Sequence, residues 1–144
     1  MKQSRPTHWN NAQNRALPSL AHHELTQQVI GLAIEVHRTL GPGLLESAYE
    51  EALCYELIQA GLPFVRQRQL PLLYKNVLLD CHYQIDIIVA DTLILEIKAV
   101  QELHPVHQAQ LLTYLRLSNL RIGLILNFHA PTLKHGLRRM VLKA

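Results

Sequence analysis

Several features that define whole classes of protein are scarce or missing in this sequence of 144 residues. Its two cysteines, Cys54 and Cys81, have neither metal-pair spacing nor the number of a disulfide framework, so we expect free thiols in a reducing cytoplasm. No apolar run approaches the ~18 residues that a membrane span needs. The N-terminus lacks the apolar segment of a secretory signal. These absences favour a cytoplasmic protein with no membrane partner.

What is present suits one folded domain. Hydrophobic residues make up 49% of the chain, which is enough for a core. The first residues are rich in Asn, Gln and Pro, so we expect a flexible N-terminal arm at 1–20 and a single domain at 21–144. The formal net charge of +3 leans toward an anionic partner without establishing one.

The periodicity of apolar residues changes from helical to strand-like along the chain. Spacings of three and four predict a helix at about 22–40, ended by Gly41-Pro42-Gly43, and a second at about 45–60, ended by Gly61. The later predicted elements are strands at 64–70, 72–79, 81–90 and 93–100, a helix at 105–117, a strand at 121–128, and a final strand or short helix at 133–142. This order predicts an α/β fold in which a mixed sheet is flanked by helices. Its first strands form an antiparallel meander, and the helix after Val100 carries the chain over to a parallel strand.

Two charges interrupt the most apolar predicted strand, "LILEIKAV", in which Glu96 and Lys98 lie two residues apart. Side chains alternate faces along a strand. The preceding strand alternates likewise, and its predicted apolar face carries Tyr83, Ile85, Ile87 and Val89. A three-residue loop at 90–92 buries the two apolar faces together, whereas a two-residue loop would put them on opposite sides of the sheet.

The three-residue loop pairs Val89 with Leu93, Ile87 with Leu95 and Ile85 with Ile97. The same register sets Asp86 opposite Glu96, with Cβ atoms about 4.5–5.5 Å apart, and Gln84 opposite Lys98.

Two facing carboxylates repel each other unless a cation neutralises them. Lys98 can offset one charge. A divalent cation such as Mg²⁺ or Mn²⁺ can bind both groups, activate a water and stabilise charge on a phosphodiester. The alternative is a solvated strand face with ordinary cross-strand pairs.

Asp86, followed after nine residues by Glu96-Ile97-Lys98, resembles the motif of the PD-(D/E)XK nuclease superfamily. "GPGLLESAYEEAL", with Gly43, Glu46 and Tyr49, resembles the signature of the GxxExxY protein family within that superfamily, and "HQAQLLTYL" and "GLILNF" resemble its later segments. The resemblance covers about 25–142. It implies a restriction-endonuclease-like core and a metal-dependent nuclease.

The resemblance also assigns roles to individual residues. It implies that Asp86 and Glu96 are ligands of Mg²⁺ or Mn²⁺ and that Lys98 is the catalytic lysine. Glu46 would complete the metal shell, directly or through water. Gln110 and Tyr114 resemble an accessory Gln–Tyr pair of the RecB-like branch. One departure is that Ile85, rather than the proline found in many members, precedes Asp86.

Each of the added residues has a structural alternative. A carboxylate at Glu46, in the first turn of a helix, is favoured by the helix dipole alone. Gln110 and Tyr114 share a helix face and either reach the site or border the core. Tyr49 is expected in the core. The basic residues that either contact phosphates or form an ordinary surface are Arg66, Arg68, Lys75, Lys134, Arg138, Arg139 and Lys143.

The leading hypothesis is therefore a Mg²⁺-dependent nuclease acting on DNA or RNA. The alternative is a module that keeps the fold and binds nucleic acid or a protein without cutting. A third hypothesis is an oligomerising role, in which an exposed sheet edge pairs with a second copy as a homodimer.

Overall fold

The structure is a computed structural model that describes residues 20–143. The predicted N-terminal arm lies outside these residues, except that Leu20 already begins the first helix. The elements are α1 (Leu20–Leu40), α2 (Glu46–Gln59), β1 (Phe64–Tyr74), β2 (Val77–Val89), β3 (Leu93–Lys98), α3 (Pro105–Ser118), β4 (Ile122–Asn127), a short 3-10 helix (Leu133–Gly136) and β5 (Leu137–Val141).

The five strands form one mixed sheet in the order β1-β2-β3-β4-β5. Strands β3 and β4 are parallel and are joined through α3, while the other neighbouring pairs are antiparallel. The predicted meander, crossover helix and parallel strand are thereby confirmed. The tail provides both of its predicted alternatives, since a 3-10 turn leads into a short strand.

One predicted boundary is wrong, because Pro71 does not separate two strands. β1 continues through Pro71, and the hairpin turn lies at Lys75 and Asn76, whose φ angles of 50° and 66° suit a tight two-residue turn. Proline is tolerated there because β1 is an edge strand, and the pairing register shifts between Pro71 and Leu73. The segments expected as separate strands at 72–79 and 81–90 are therefore divided between β1 and β2.

The two faces of the sheet bury separate apolar cores. Helices α1 and α2 cover one face, where Val29, Tyr49 and Leu53 pack with residues such as Leu95 and Leu124. Helix α3 covers the opposite face, whose core consists of Leu70, Ile85, Ile88, Ile94, Leu111, Tyr114, Leu115, Leu120 and Ile125. Strands β3 and β4 are buried on both faces, which explains their nearly continuous apolar sequences.

Helix α3 approaches β4 most closely at Gly123. A Cβ atom there would lie 2.9 Å from a methyl carbon of Leu111, closer than real Cβ atoms come. The glycine inside the apolar strand is thus explained by close helix–strand packing, which fixes α3 over the central strands.

The start of α2 is fixed by Tyr49, which is fully buried as expected. Its hydroxyl donates to the carbonyl of Gly41 at 2.5 Å and accepts from the amide of Leu44 at 3.1 Å. Its ring stacks on Phe128, with centroids 4.6 Å apart. These contacts tie the turn between α1 and α2 to the end of β4 and so set the position of Glu46.

Candidate active site

The register between β2 and β3 is the one predicted from a three-residue loop. Val89 pairs with Leu93 and Ile87 pairs with Leu95, which confirms those two predicted pairs. The ladder ends there, so the predicted third pair, Ile85 with Ile97, is wrong.

Beyond the end of the backbone ladder, side-chain carboxylates accept hydrogen bonds from backbone amides of the facing strand. The amide of Ile97 donates to Oδ2 of Asp86 at 2.8 Å. The amide of Asp86 donates to Oε2 of Glu96 at 3.1 Å. The structure thus brings Asp86 and Glu96 together as the register predicted. Each carboxylate accepts a hydrogen bond from a backbone amide of the neighbouring strand.

The prediction that Tyr83, Ile85, Ile87 and Val89 share one face of β2 is also wrong. Ile87 and Val89 pack against α1 and α2, but Ile85 packs in the α3 core together with Ile88. The ring of Tyr83 lies 6.0 Å from that of Tyr114 on α3. Regular alternation would put Tyr83, Ile85 and Ile87 on one side, so the side-chain faces of β2 reverse at Asp86.

β1 reverses its faces at the same level. Phe64 packs against α1 and α2, whereas Leu70 belongs to the α3 core. The ladder pairs on either side of the reversal are Arg66 with Ile87 and Arg68 with Ile85, which leaves Gln67 opposite Asp86. Gln67 has a φ of 50°, in the left-handed region. The reversal in both strands is the physical reason that a strict two-residue period fails here.

The pKa values of the pair reflect burial, which the nearby charge of Lys98 offsets only in part. Burial raises the pKa of Asp86 to about 6, and the charges of Glu50 and Glu46 add to this effect. Burial raises the pKa of Glu96 to about 8, followed by repulsion from Asp86. Backbone hydrogen bonds and the charge of Lys98 oppose both shifts. None of the ion pairs within residues 20–143 includes Asp86, Glu96 or Lys98.

Glu46 and Lys98 border the same end of β3. Lys98 is the last residue of β3 and is half-buried. Glu46 is the first residue of α2 and is exposed, and its Oε2 accepts a hydrogen bond of 3.3 Å from the amide of Ala99. Glu46 and Lys98 therefore lie at the end of β3 that follows Glu96.

The two accessory residues lie on α3, which covers the face that contains Ile94 and Ile125. Tyr114 is only 4% exposed. Burial, together with the charges of Glu96 and Asp86, raises the pKa of Tyr114 to about 12, so its hydroxyl remains neutral. Gln110 lies one turn earlier and is half-buried. No hydrogen bond within residues 20–143 joins Gln110 to the pair.

Sequence reasoning missed Glu50, which lies one turn after Glu46 on α2 and is 7% exposed. Its carboxylate accepts from Nε of Arg66 at 3.0 Å and from Nε2 of Gln67 at 3.0 Å. Its charge raises the pKa values of Asp86 and Glu96. The spacing of four from Glu46 was the available signal, since such residues share a helix face. Arg66, suggested as a phosphate contact, is instead bonded to Glu50 and, at 3.1 Å, to Glu51.

The donor set determines what kind of cation would fit. Within residues 20–143, no group of three or more His, Cys, Asp or Glu side chains is arranged to hold a metal ion. Asp86 and Glu96 nevertheless offer hard oxygens, and no ion pair within residues 20–143 includes either of them. Mg²⁺ is commonly bound through one or two carboxylates, with waters and substrate phosphates completing its shell. The pair therefore fits a cation that keeps most of its water.

Comparison with known proteins gives a consistent result. A family model described as the PD-(D/E)XK nuclease superfamily matches residues 23–140. No curated protein and no solved structure matches the chain. In the described part of the chain, no helix has the length and apolar character needed to cross a membrane. The mixed five-stranded sheet flanked by helices agrees with the restriction-endonuclease-like fold that the family match implies. Since the match covers most of its length, the chain belongs to the PD-(D/E)XK nuclease superfamily.

Proposed function

We propose that this protein is a divalent-metal-dependent nuclease that hydrolyses phosphodiester bonds in DNA or RNA. The observation that carries the proposal is the pair of half-buried Asp86 and buried Glu96 on adjacent strands, neither of which has an ion-pair partner within residues 20–143. Strongly shifted carboxylates of this kind are frequent at functional sites. Membership of a nuclease superfamily supports the same reaction.

In this proposal Asp86 and Glu96 hold Mg²⁺ or Mn²⁺, and Glu46 joins the metal shell directly or through water. The bound cation supplies an activated water and stabilisation of the charge that develops on the phosphodiester. The amides of Ile97 and Asp86 orient the two carboxylates through the hydrogen bonds already described. The protein thus contributes a fixed, water-poor pair of oxygen donors.

Lys98 is the catalytic lysine of the proposal. Its ammonium lies on the same strand as Glu96, and its charge lowers the pKa values of both carboxylates. From this position it orients the attacking water or offsets charge on the phosphate oxygens. Tyr114, which stays neutral, and Gln110 act as accessory hydrogen-bonding groups at the α3 side.

The finer assignments rest on sequence features. The spacing of Gly43, Glu46 and Tyr49 supports membership of the GxxExxY family, and the single sheet supports one domain over residues 21–144. The two cysteines do not pair, since Cys54 is buried and Cys81 is exposed, which supports a cytoplasmic location.

The proposal is tested by incubating the protein with single-stranded, double-stranded and branched DNA and with RNA, in Mg²⁺, in Mn²⁺ and in EDTA. We expect cleavage of at least one substrate by the wild type, its loss in EDTA, and a decrease of at least about 100-fold in Lys98→Ala. Glu24→Gln, an exposed change on α1, is the control for general surface effects.

Full cleavage by a folded Lys98→Ala variant would contradict the role of the lysine. Equal nucleic-acid binding in Mg²⁺ and EDTA, without cleavage of any substrate, would replace the nuclease with the binding-module alternative. Light scattering on the same samples determines whether a homodimer forms.

A further inference from the structure

The reversal of side-chain faces at Gln67 and Asp86 needs a backbone conformation that glutamine rarely adopts. Gln67 has a φ of 50°, where its Cβ crowds the backbone. A residue in this region usually returns to the extended conformation unless its surroundings hold it. The question is therefore what holds Gln67.

The Glu50 carboxylate is the direct partner of the Gln67 side chain. Nε2 of Gln67 lies 3.0 Å from Oε1 and 3.0 Å from Oε2 of Glu50. Hydrogen bonds to an ionised acceptor are stronger than those between neutral groups. Glu50 is in turn fixed by Nε of Arg66 at 3.0 Å. Through Glu50, helix α2 thus holds β1 at Gln67, the position where the side-chain faces of β1 reverse.

We propose that Glu50 is a positioning residue of this site, which keeps Asp86 turned toward β3 by holding Gln67 in the left-handed conformation. The inference rests on the proposed function, because it concerns the geometry of the proposed metal ligands. Gln67 lies at the position opposite Asp86, between the ladder pairs Arg66–Ile87 and Arg68–Ile85. If Gln67 relaxes, regular alternation returns to β1, and β2 must follow to keep its pairing. The Asp86 carboxylate then loses the hydrogen bond of 2.8 Å that it accepts from the amide of Ile97.

A purely structural ion pair makes a different prediction. Glu50 and Arg66 would then hold α2 against β1, and their loss would lower stability without changing Asp86. Glu51 provides a matched control, because its Oε2 lies 3.1 Å from Nη2 of the same arginine while its side chain is 59% exposed. It shares the arginine, but its hydrogen bond to Nη2 does not involve Gln67.

The first experiment compares Glu50→Ala with Glu51→Ala. Hydrogen exchange of the Ile97 amide, measured without metal, reports the Asp86 contact, and the amide of Leu124 in β4 serves as the internal reference. We expect the Ile97 amide to exchange at least about tenfold faster in Glu50→Ala, and Mn²⁺ affinity to fall by about tenfold. Glu51→Ala leaves both values at those of the wild type.

A second pair of variants tests the backbone conformation and remains informative if Glu50→Ala does not fold. Glycine adopts a positive φ readily, whereas alanine does not. Gln67→Gly therefore keeps the Ile97 amide protected and Mn²⁺ affinity near the wild-type value, while Gln67→Ala loses both. The double variant Glu50→Ala/Gln67→Gly regains most of what Glu50→Ala loses.

The inference is overturned if the Gly and Ala variants at Gln67 behave alike. It is also overturned if Glu50→Ala lowers the unfolding temperature but leaves Ile97 exchange and Mn²⁺ affinity unchanged. Amide exchange requires neither metal nor cleavage, so the positioning role of Glu50 and the proposed nuclease function can be refuted independently. A protein that never cuts nucleic acid but exposes the Ile97 amide in Glu50→Ala retains the positioning role and loses the proposed function.

Discussion

Glu50 and the Asp86–Glu96 pair lie within one small part of this fold, and their charges are balanced differently. Glu50 has a guanidinium at 3.0 Å and the amide of Gln67 on both oxygens. Asp86 and Glu96 each accept one backbone amide and have no ion-pair partner in the described part of the chain.

This difference distinguishes a structural clamp, formed by Glu50, from a candidate binding centre, formed by Asp86 and Glu96. Burying a charge is unfavourable unless an opposite charge and hydrogen bonds compensate for its lost hydration. Glu50 is compensated by the protein itself. Asp86 and Glu96 are left to be compensated by a ligand or by protons, and their raised pKa values follow from that. Neutralising Glu96 should therefore not lower the stability of the metal-free protein, whereas removing the charged partner of Glu50 should lower it.

The largest effect is expected from Glu96→Gln, which neutralises the uncompensated pair. Mn²⁺ binding weakens by at least about 100-fold, because an ionised ligand is lost. The metal-free protein is as stable as the wild type at pH 8, or more so, since the new side-chain amide can still accept from the Asp86 amide and no longer adds a second charge beside ionised Asp86. Calorimetric Mn²⁺ titration and urea unfolding measure the two quantities. A loss of metal-free stability at pH 8 would show that Glu96 is compensated in some other way.

The opposite response is expected from Arg66→Met, which removes the compensation of Glu50. Leaving one buried member of an ion pair behind costs about 3 kcal/mol of unfolding free energy. The double variant Glu50→Gln/Arg66→Met recovers most of this loss, because no unpaired charge remains. Urea unfolding of the four proteins forms a double-mutant cycle. Additive losses would mean that the two groups do not interact.

The pH dependence of stability in the metal-free protein tests whether the Asp86–Glu96 pair lacks a compensating charge. Asp86, with a pKa of about 6, and Glu96, with a pKa of about 8, keep protons that the unfolded chain releases at its ordinary values of 3.8 and 4.5. The stability from these protons is full below about pH 4 and is lost as pH rises through 6 and then 8. We expect a decrease on the order of 5 kcal/mol between pH 5 and pH 8.5, most of it from Glu96.

Urea unfolding in EDTA measures this slope, and Glu96→Gln is its control. That variant loses the part of the slope above about pH 6, while titration of the histidines is common to both proteins. Identical slopes in the two proteins would remove Glu96 as the cause. Saturating Mn²⁺ reverses the trend, because the ion binds the deprotonated pair.

Much of this site was predictable from the sequence because it depends on local rules. The loop at 90–92 and the apolar residues on both sides of it fix a single register, which predicts that Asp86 and Glu96 lie close together although the backbone ladder stops at Ile87 and Leu95. The crossover helix and the parallel strand follow from the order of elements. These features need no knowledge of distant contacts.

The remaining features depend on tertiary contacts that a periodic pattern does not contain. Pro71 resembles a strand boundary in sequence, but the edge position of β1 makes it harmless. The reversal at Gln67 breaks the two-residue period and depends on Glu50, a residue on a different element 17 positions away. A strand pattern assumes a regular backbone, so it assigned Ile85 to the wrong face.

The smallest effect is expected at the edge of the uncompensated pair, from Tyr114→Phe. The ring stays buried and only the hydroxyl is lost, so unfolding free energy changes by less than about 1 kcal/mol. If the neutral hydroxyl donates a hydrogen bond to a water or phosphate at the pair, cleavage falls by about threefold to tenfold, mainly in kcat. Tyr83→Phe, which alters the neighbouring ring 6.0 Å away, is the matched control and leaves cleavage unchanged. Equal rates in the two variants would assign Tyr114 to the border of the α3 core rather than to the site, and the contrast between the clamp and the binding centre would then rest on Asp86 and Glu96 alone.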